Sequence, residues 1–113
     1  MTTVPKPDTR TTLGSALAIL SDKYRRELLL ALLAENPQED DDRDPLNVID
    51  DDIEPEVLEI ELFHKHLPKL ESAGYIEWNR ETGKISKGPD WADIEPLLVL
   101  MADHRDELPE GWL

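Results

Sequence analysis

Along residues 63 to 73 the apolar positions follow a helical period. Phe63, His66, Leu67, Leu70 and Ala73 fall at i, i+3, i+4, i+7 and i+10, one face of an α-helix. Gly74 stands where a helix ends in a left-handed residue, and Tyr75 follows as the usual apolar contact. The period then changes to two, with Ile76 and Trp78 pointing one way and Tyr75 and Glu77 the other. Arg80 to Gly83 supply a turn, and Lys84 to Lys87 return as a second strand carrying Ile85.

Upstream, Thr12 to about Ala34 is strongly helical. Leu13, Ala16, Leu17 and Leu20 make a first stripe. Ser21 and Asp22 interrupt it in the manner of an N-cap, with the cap placed at Ser21. Tyr24, Leu28, Leu29, Leu32 and Leu33 continue at helical spacing in a second helix from Asp22 to Ala34. Arg25 and Arg26 on its first turns gain nothing from the helix dipole there. They are solvated, or pair with Asp22 and Glu27, or contact DNA phosphates. Pro55 suits the first turn of a helix running from about Glu56 through Val57, Leu58 and Leu62. After Gly88 and Pro89, Asp90 or Asp93 caps a last helix with the stripe Ile94, Leu97, Leu98 and Met101, and Pro96 is placed in its first turn. That stripe either packs on the N-terminal helix or forms a two-fold contact. The expected dimer surface joins Leu13 and Leu17 to Ile94, Leu97, Leu98 and Met101.

The expected organisation is one domain: a disordered arm over 1–11, a folded unit over 12–104 with an acidic loop over 35–55, and a tail over 105–113 whose Trp112 folds back. Within the loop, Leu46, Val48 and Ile49 form one helical turn or a small strand. The order of helix, glycine and hairpin is that of the second half of a winged helix-turn-helix, in an α+β fold. In that fold the helix enters the DNA major groove and the hairpin is the wing. Two N-terminal helices, a recognition helix, a two-stranded wing and a C-terminal helix complete the expectation.

Charge complicates this picture. The 113 residues carry 26 acidic against 12 basic side chains, net −14, whereas nucleic-acid modules are ordinarily basic. Such a surface either repels polyanions and marks a protein-binding module, or belongs to a protein working in molar salt, where screening falls to about 3 Å. The acids are uneven. From Glu35 to Glu61 thirteen acids face Arg43 alone, whereas from 64 to 89 Lys65, Lys69, Arg80, Lys84 and Lys87 outnumber Glu71, Glu77 and Glu81. The helix-and-hairpin stretch is the one basic segment, which favours an anionic partner.

Catalytic signatures are missing: no nucleophile elbow, phosphate loop or dinucleotide fingerprint occurs. No enzyme activity, cofactor or metal is expected. His64 and His66 on a helix point about 200° apart and cannot share an ion. Asp50, Asp51 and Asp52 lack the alternating ligands, glycine and terminal glutamate of a calcium loop. No apolar run reaches the roughly 18 residues of a membrane span, and no leader signal opens the chain, so a cytoplasmic protein is expected.

Two stretches resemble a known family. Leu20-Ser21-Asp22-Lys23-Tyr24-Arg25-Arg26-Glu27-Leu28-Leu29 looks like the "Leu-x-Asp-x-x-Arg-x-x-Ile-Leu" helix of ArsR-type winged-helix regulators. His64-Lys65-His66-Leu67 through Tyr75-Ile76 resembles their recognition helix, and His64-x-His66-Leu67-Pro68-Lys69-Leu70 resembles a group of uncharacterised haloarchaeal winged-helix domains. The resemblance covers residues 13 to 104 and implies a dimeric transcription regulator of a halophilic archaeon that binds double-stranded DNA. The cysteine ligands of metal sensors are absent, so metal sensing is not implied. Two departures stand out: the middle helix is hard to find in the acidic stretch, and Pro68 interrupts the recognition helix. The DNA-facing residues expected on this reading are His64, Lys65 and Lys69 on the helix, Arg80, Lys84 and Lys87 on the wing, and Arg25 and Arg26. The alternative is a protein–protein interaction module whose acidic loop is the partner surface.

Overall fold

The computed structural model describes residues 12–34, 43–49 and 52–113. The expected arm over 1–11 and most of the acidic loop, Asp50 and Asp51 included, lie outside these residues.

The chain is α+β, with helices packed around one core and a two-stranded antiparallel sheet. Helix α1 spans Leu13–Leu20 and opens with a capping box, in which the Thr12 hydroxyl accepts from the Ser15 amide and the Ser15 hydroxyl accepts from Thr12. Helix α2 spans Lys23–Leu33, and its cap is Asp22 rather than Ser21. The Asp22 carboxylate accepts from the amides of Tyr24 and Arg25 at 2.8 and 3.3 Å, a better match to the positive helix start than a hydroxyl. Ser21 instead turns back to close α1, its hydroxyl donating to the Ala18 carbonyl.

The acidic stretch does hold a helical turn. Helix α3 spans only Pro45–Val48, with Asp44 capping it and Pro45 at its start. One turn is too short for its spacing to decide between the helical turn and the small strand expected of Leu46, Val48 and Ile49, and the helical turn is the one that forms. Just before it, Arg43 pairs with Ile85 through two backbone hydrogen bonds of 2.7 and 2.8 Å, adding a one-residue third rung to the sheet.

Helix α4 spans Pro55–Glu61, continues into a π turn over Leu62–His66, and ends as α5, Leu67–Ser72. Pro68 explains the π turn. A regular α-helix would drive its ring into the carbonyl of His64 and leave an amide-less position in the ladder. Here the Leu67 amide donates to the Leu62 carbonyl five residues back, and the widened turn carries the chain past the ring. The helix therefore runs through Pro68 with one extra residue per turn. Its end follows the expected pattern: Gly74 has φ +82°, its amide donates to Glu71, and the Tyr75 amide donates to Leu70.

Strands β1 (Ile76–Trp78) and β2 (Ile85–Lys87) pair Ile76 with Lys87 and Trp78 with Ile85. Tyr75 is buried together with Ile76, so the alternation expected there starts one residue later. Asn79 organises the turn by accepting from the Glu81 and Thr82 amides, and Gly83 takes φ +76°. Gly88 passes so close to the backbone of Gly74 and Ile76 that a Cβ would lie 2.5 Å from the Gly74 carbonyl oxygen. Helix α6 spans Trp91–Asp103, so Pro96 is interior to it rather than in its first turn. A short 3-10 turn over Arg105–Glu107 returns the tail.

The core joins Leu28, Leu29 and Leu32 of α2, Leu62 of the π turn, Leu67 and Leu70 of α5, Tyr75, Ile76 and Ile85 of the hairpin, and Trp91, Ile94 and Leu98 of α6. Ile94 and Leu98 are fully buried within one copy of the chain. They cannot form the two-fold contact expected of them, because the apolar stripe of α6 is spent on α2. Leu98→Arg should consequently unfold the protein rather than split a dimer, since it leaves a charge unpaired in the core. Circular dichroism should show lost helix and no cooperative melt.

Candidate nucleic-acid interface

Arg25 and Arg26 sit at the start of α2 but reach backwards, over the end of α1. The last carbonyls of a helix lack intrahelical donors and carry its negative pole. Arg25 Nε donates to the Ile19 carbonyl at 2.8 Å, Arg25 Nη2 to Ala18 at 3.2 Å, and Arg26 Nη1 to Leu20 at 2.8 Å. Arg25 is 6 % exposed. The expectation that these arginines face DNA phosphates is corrected: both guanidinium groups are turned onto the C-terminus of α1.

The remaining Arg25 donor, Nη1, lies 3.2 Å from Nδ1 of His66 in the π turn. A guanidinium only donates, so Nδ1 must accept and the ring must be neutral with its proton on Nε2. That Nε2–H faces Asp22 at 3.7 Å and Glu61 at 3.8 Å. The His66 ring is 1 % exposed and meets Tyr24 edge-on at 5.7 Å. Burial pushes the His66 pKa below its ordinary 6.5; Asp22 pulls the other way, and Arg25 and Lys65 reinforce the drop. His66 thus ties the ends of α1 and α2 to the α4–α5 helix, while His64 points outward.

On the hairpin, Arg80 is engaged. Its Nη1 and Nη2 donate to both carboxylate oxygens of Glu71 at 3.0 and 2.9 Å, and its guanidinium lies 4.2 Å from the centre of the Trp78 ring. Trp78 in turn packs against Phe63 at 5.4 Å. The Arg80 hydrogen bond holds the Glu71 carboxyl below its ordinary range. This stack fastens the hairpin to α5 and neutralises one acid of the segment. Lys87 lies over the Trp91 ring at 5.3 Å.

His64, Lys65, Lys69 and Lys84 are exposed. Lys65 reaches Glu61 at 3.8 Å, a solvent-exposed pair of small energy. The leading half of the same helix differs in character. Val57 and Ile60 are 48 % and 60 % exposed, with Glu54, Glu56 and Glu59 among their exposed neighbours in sequence. The exposed cations therefore begin within the π turn, at Lys65, and continue through Lys69 into the hairpin, a division the total charge count conceals.

Among the expected dimer residues, Leu13 and Leu17 are exposed, whereas Leu97 and Met101 are partly buried beside the returning tail. Trp112 lines the cleft beside that region and is 57 % exposed. Among the described residues no cluster of three or more His, Asp or Glu side chains is gathered to hold a metal, and no helix is long and apolar enough to cross a membrane. No family model, curated protein or solved structure matches the chain.

The neutral His66 sets a pH dependence. An unfolded histidine binds its proton more readily than this one, so the native state loses stability as pH falls below 6.5 toward the depressed native value, and keeps it fully above 6.5. Urea midpoints measured between about pH 7.5 and about pH 5.5 should decline in the wild type. In His66→Asn, which retains an acceptor near the Nδ1 position, the decline should be nearly absent.

Proposed function

We propose that the chain is a winged-helix DNA-binding regulator, with α2, α3 and the α4–α5 helix as its three-helix unit and β1–β2 as its wing. The observation that carries this reading is the exposed set His64, Lys65, Lys69 and Lys84 on the helix and hairpin. Among the described residues it groups exposed cations on the helix and hairpin, and Arg80 has already taken up Glu71 beside it. Lysines of this kind suit phosphate oxygens, and His64 suits a base edge. The π turn and the short α3 also fit the reading, because together they account for the two departures from the family pattern, the interrupted helix and the hidden middle one. In molar salt, phosphate contacts alone hold little affinity. Base and apolar contacts then carry more of the binding, and the apolar leading half of α4 fits that demand. A two-fold pairing of such regulators would have Leu13 on α1 and Leu100 on α6 as exposed apolar contacts.

Titration of labelled duplex DNA over a range of salt tests this. The triple variant Lys65→Glu, Lys69→Glu, Lys84→Glu should weaken binding at least about tenfold and lower the slope of log K against log salt by about 3 units. Unchanged affinity, or no binding by the wild type at any salt, rejects the reading.

The exposed pair Val57 and Ile60 among glutamates favours a second reading, in which this face docks a protein with a basic rim. Ile60→Lys separates the two. It should tighten DNA binding if this half of the helix enters a groove, and should abolish co-purification of a partner if it docks protein.

A further inference from the structure

The two ring nitrogens of the enclosed His66 face opposite chemistry. Nδ1 meets a cation, Nη1 of Arg25 at 3.2 Å. Nε2 meets anions, Asp22 Oδ1 at 3.7 Å and Glu61 Oε2 at 3.8 Å. The first contact is of hydrogen-bond length and the other two are longer. The charged groups acting on the ring are Asp22 and Arg25 from α2, Glu61 from α4 and Lys65 from the π turn itself; Lys69 and Glu71 of α5 are not among them. Helix α1 carries no ionisable side chain and presents only carbonyls to Arg25.

A proton on Nδ1 turns that acceptor into a second donor, facing a guanidinium that cannot accept. Two cations then lie 3.2 Å apart, away from water, and the contact becomes repulsive. Arg25 stays anchored by the Ile19 and Ala18 carbonyls at 2.8 and 3.2 Å, so the imidazolium is the group that moves. The carboxylates across the ring receive it. Closing those gaps to the length of a charge-assisted hydrogen bond takes a shift of about 1 Å. The backbone beneath His66 suits such a shift, because the π turn is already widened and Pro68 has no amide to add to its ladder.

We propose that His66 is a proton-operated switch that moves the π turn between two ties. Neutral, the ring holds the turn to Arg25 and through it to the end of α1. Charged, it leaves Arg25 and pairs with Asp22 and Glu61. His64 and Lys65 ride on the same turn and Lys69 follows it, so the switch resets how this exposed surface is presented. Burial keeps the neutral tie at neutral pH, and acidification below 6.5 throws the switch. The device lies in the protein alone and stands or fails whatever that surface binds.

Nuclear magnetic resonance of the full chain from about pH 7.5 to about pH 4.5 tests this. The 15N shifts of the His66 ring report its protonation, and residual dipolar couplings of the amides report helix orientation. At the upper limit Nδ1 should be the bare nitrogen and Nε2 the protonated one. The ring should take up its proton at a midpoint below 6.5. Over that interval the couplings of residues 62–66 should change, while those of α2 and α6 stay constant. Asp22→Asn keeps a helix cap but removes a carboxylate, and should move the midpoint to lower pH. Glu61→Gln, away from the cap, should do the same. His66→Asn should make the couplings independent of pH. Couplings of 62–66 that hold still through the ring's titration overturn the proposal. So do a ring that stays neutral to the lowest pH, a midpoint that neither carboxylate variant moves, and helices that all lose order together at that midpoint.

Discussion

The Arg25 guanidinium is the interaction on which the rest of the structure depends. It closes the exposed carbonyls of α1 and reaches His66, 41 positions further along the chain, so three helices meet on one planar group. A lysine could satisfy one of these acceptors but not all, because only the guanidinium holds its donors in a fixed fan. Asp22 completes the arrangement by capping α2 and facing the same imidazole from its other side. A cation placed at a helix start, where the dipole offers it nothing, is thus explained by the end of the preceding helix.

This arrangement divides the basic residues by chemistry. Three arginines are engaged within the chain: Arg25 and Arg26 on α1, Arg80 on Glu71 and Trp78. Lysines such as Lys65, Lys69 and Lys84 remain at the surface. Strongly hydrated point charges suit a surface whose partners exchange, while planar forks suit fixed contacts. In a chain with 26 acids and 12 bases, few cations remain for the surface, so the location of each carries weight.

Much of the fold was legible in the sequence because long amphipathic stretches and glycine stops report themselves. The two N-terminal helices, the Gly74 stop, the hairpin with Gly83 and the last helix were all readable from spacing. Three features were not. The α3 turn is shorter than any period, so spacing leaves a helical turn and a small strand equally open there. The burial of Ile94 and Leu98 within one copy depends on α2 lying opposite, which no local pattern states. The inward turn of Arg25 and Arg26 depends on the chain reversal at Ser21. For the candidate interface, residue types were legible, but pairing was not: Arg80 and Lys84 look alike in sequence, and only the fold places Glu71 beside one of them. Trp91 went unnoticed as a core residue, although its position three before Ile94 on the helix stripe was an available signal.

The π turn also constrains how this sequence can change over time. It is a helix carrying one residue more than α geometry needs, made tolerable by Pro68. Losing the proline alone would leave the surplus residue, and losing the residue alone would press the ring onto a carbonyl and swing everything downstream by about 100°. The hairpin, whose Arg80 grips Glu71 on the far side of that turn, would swing with it. The insertion and the proline are therefore interdependent, and a lineage can shed the pair only by passing through a form in which helix and hairpin are misaligned.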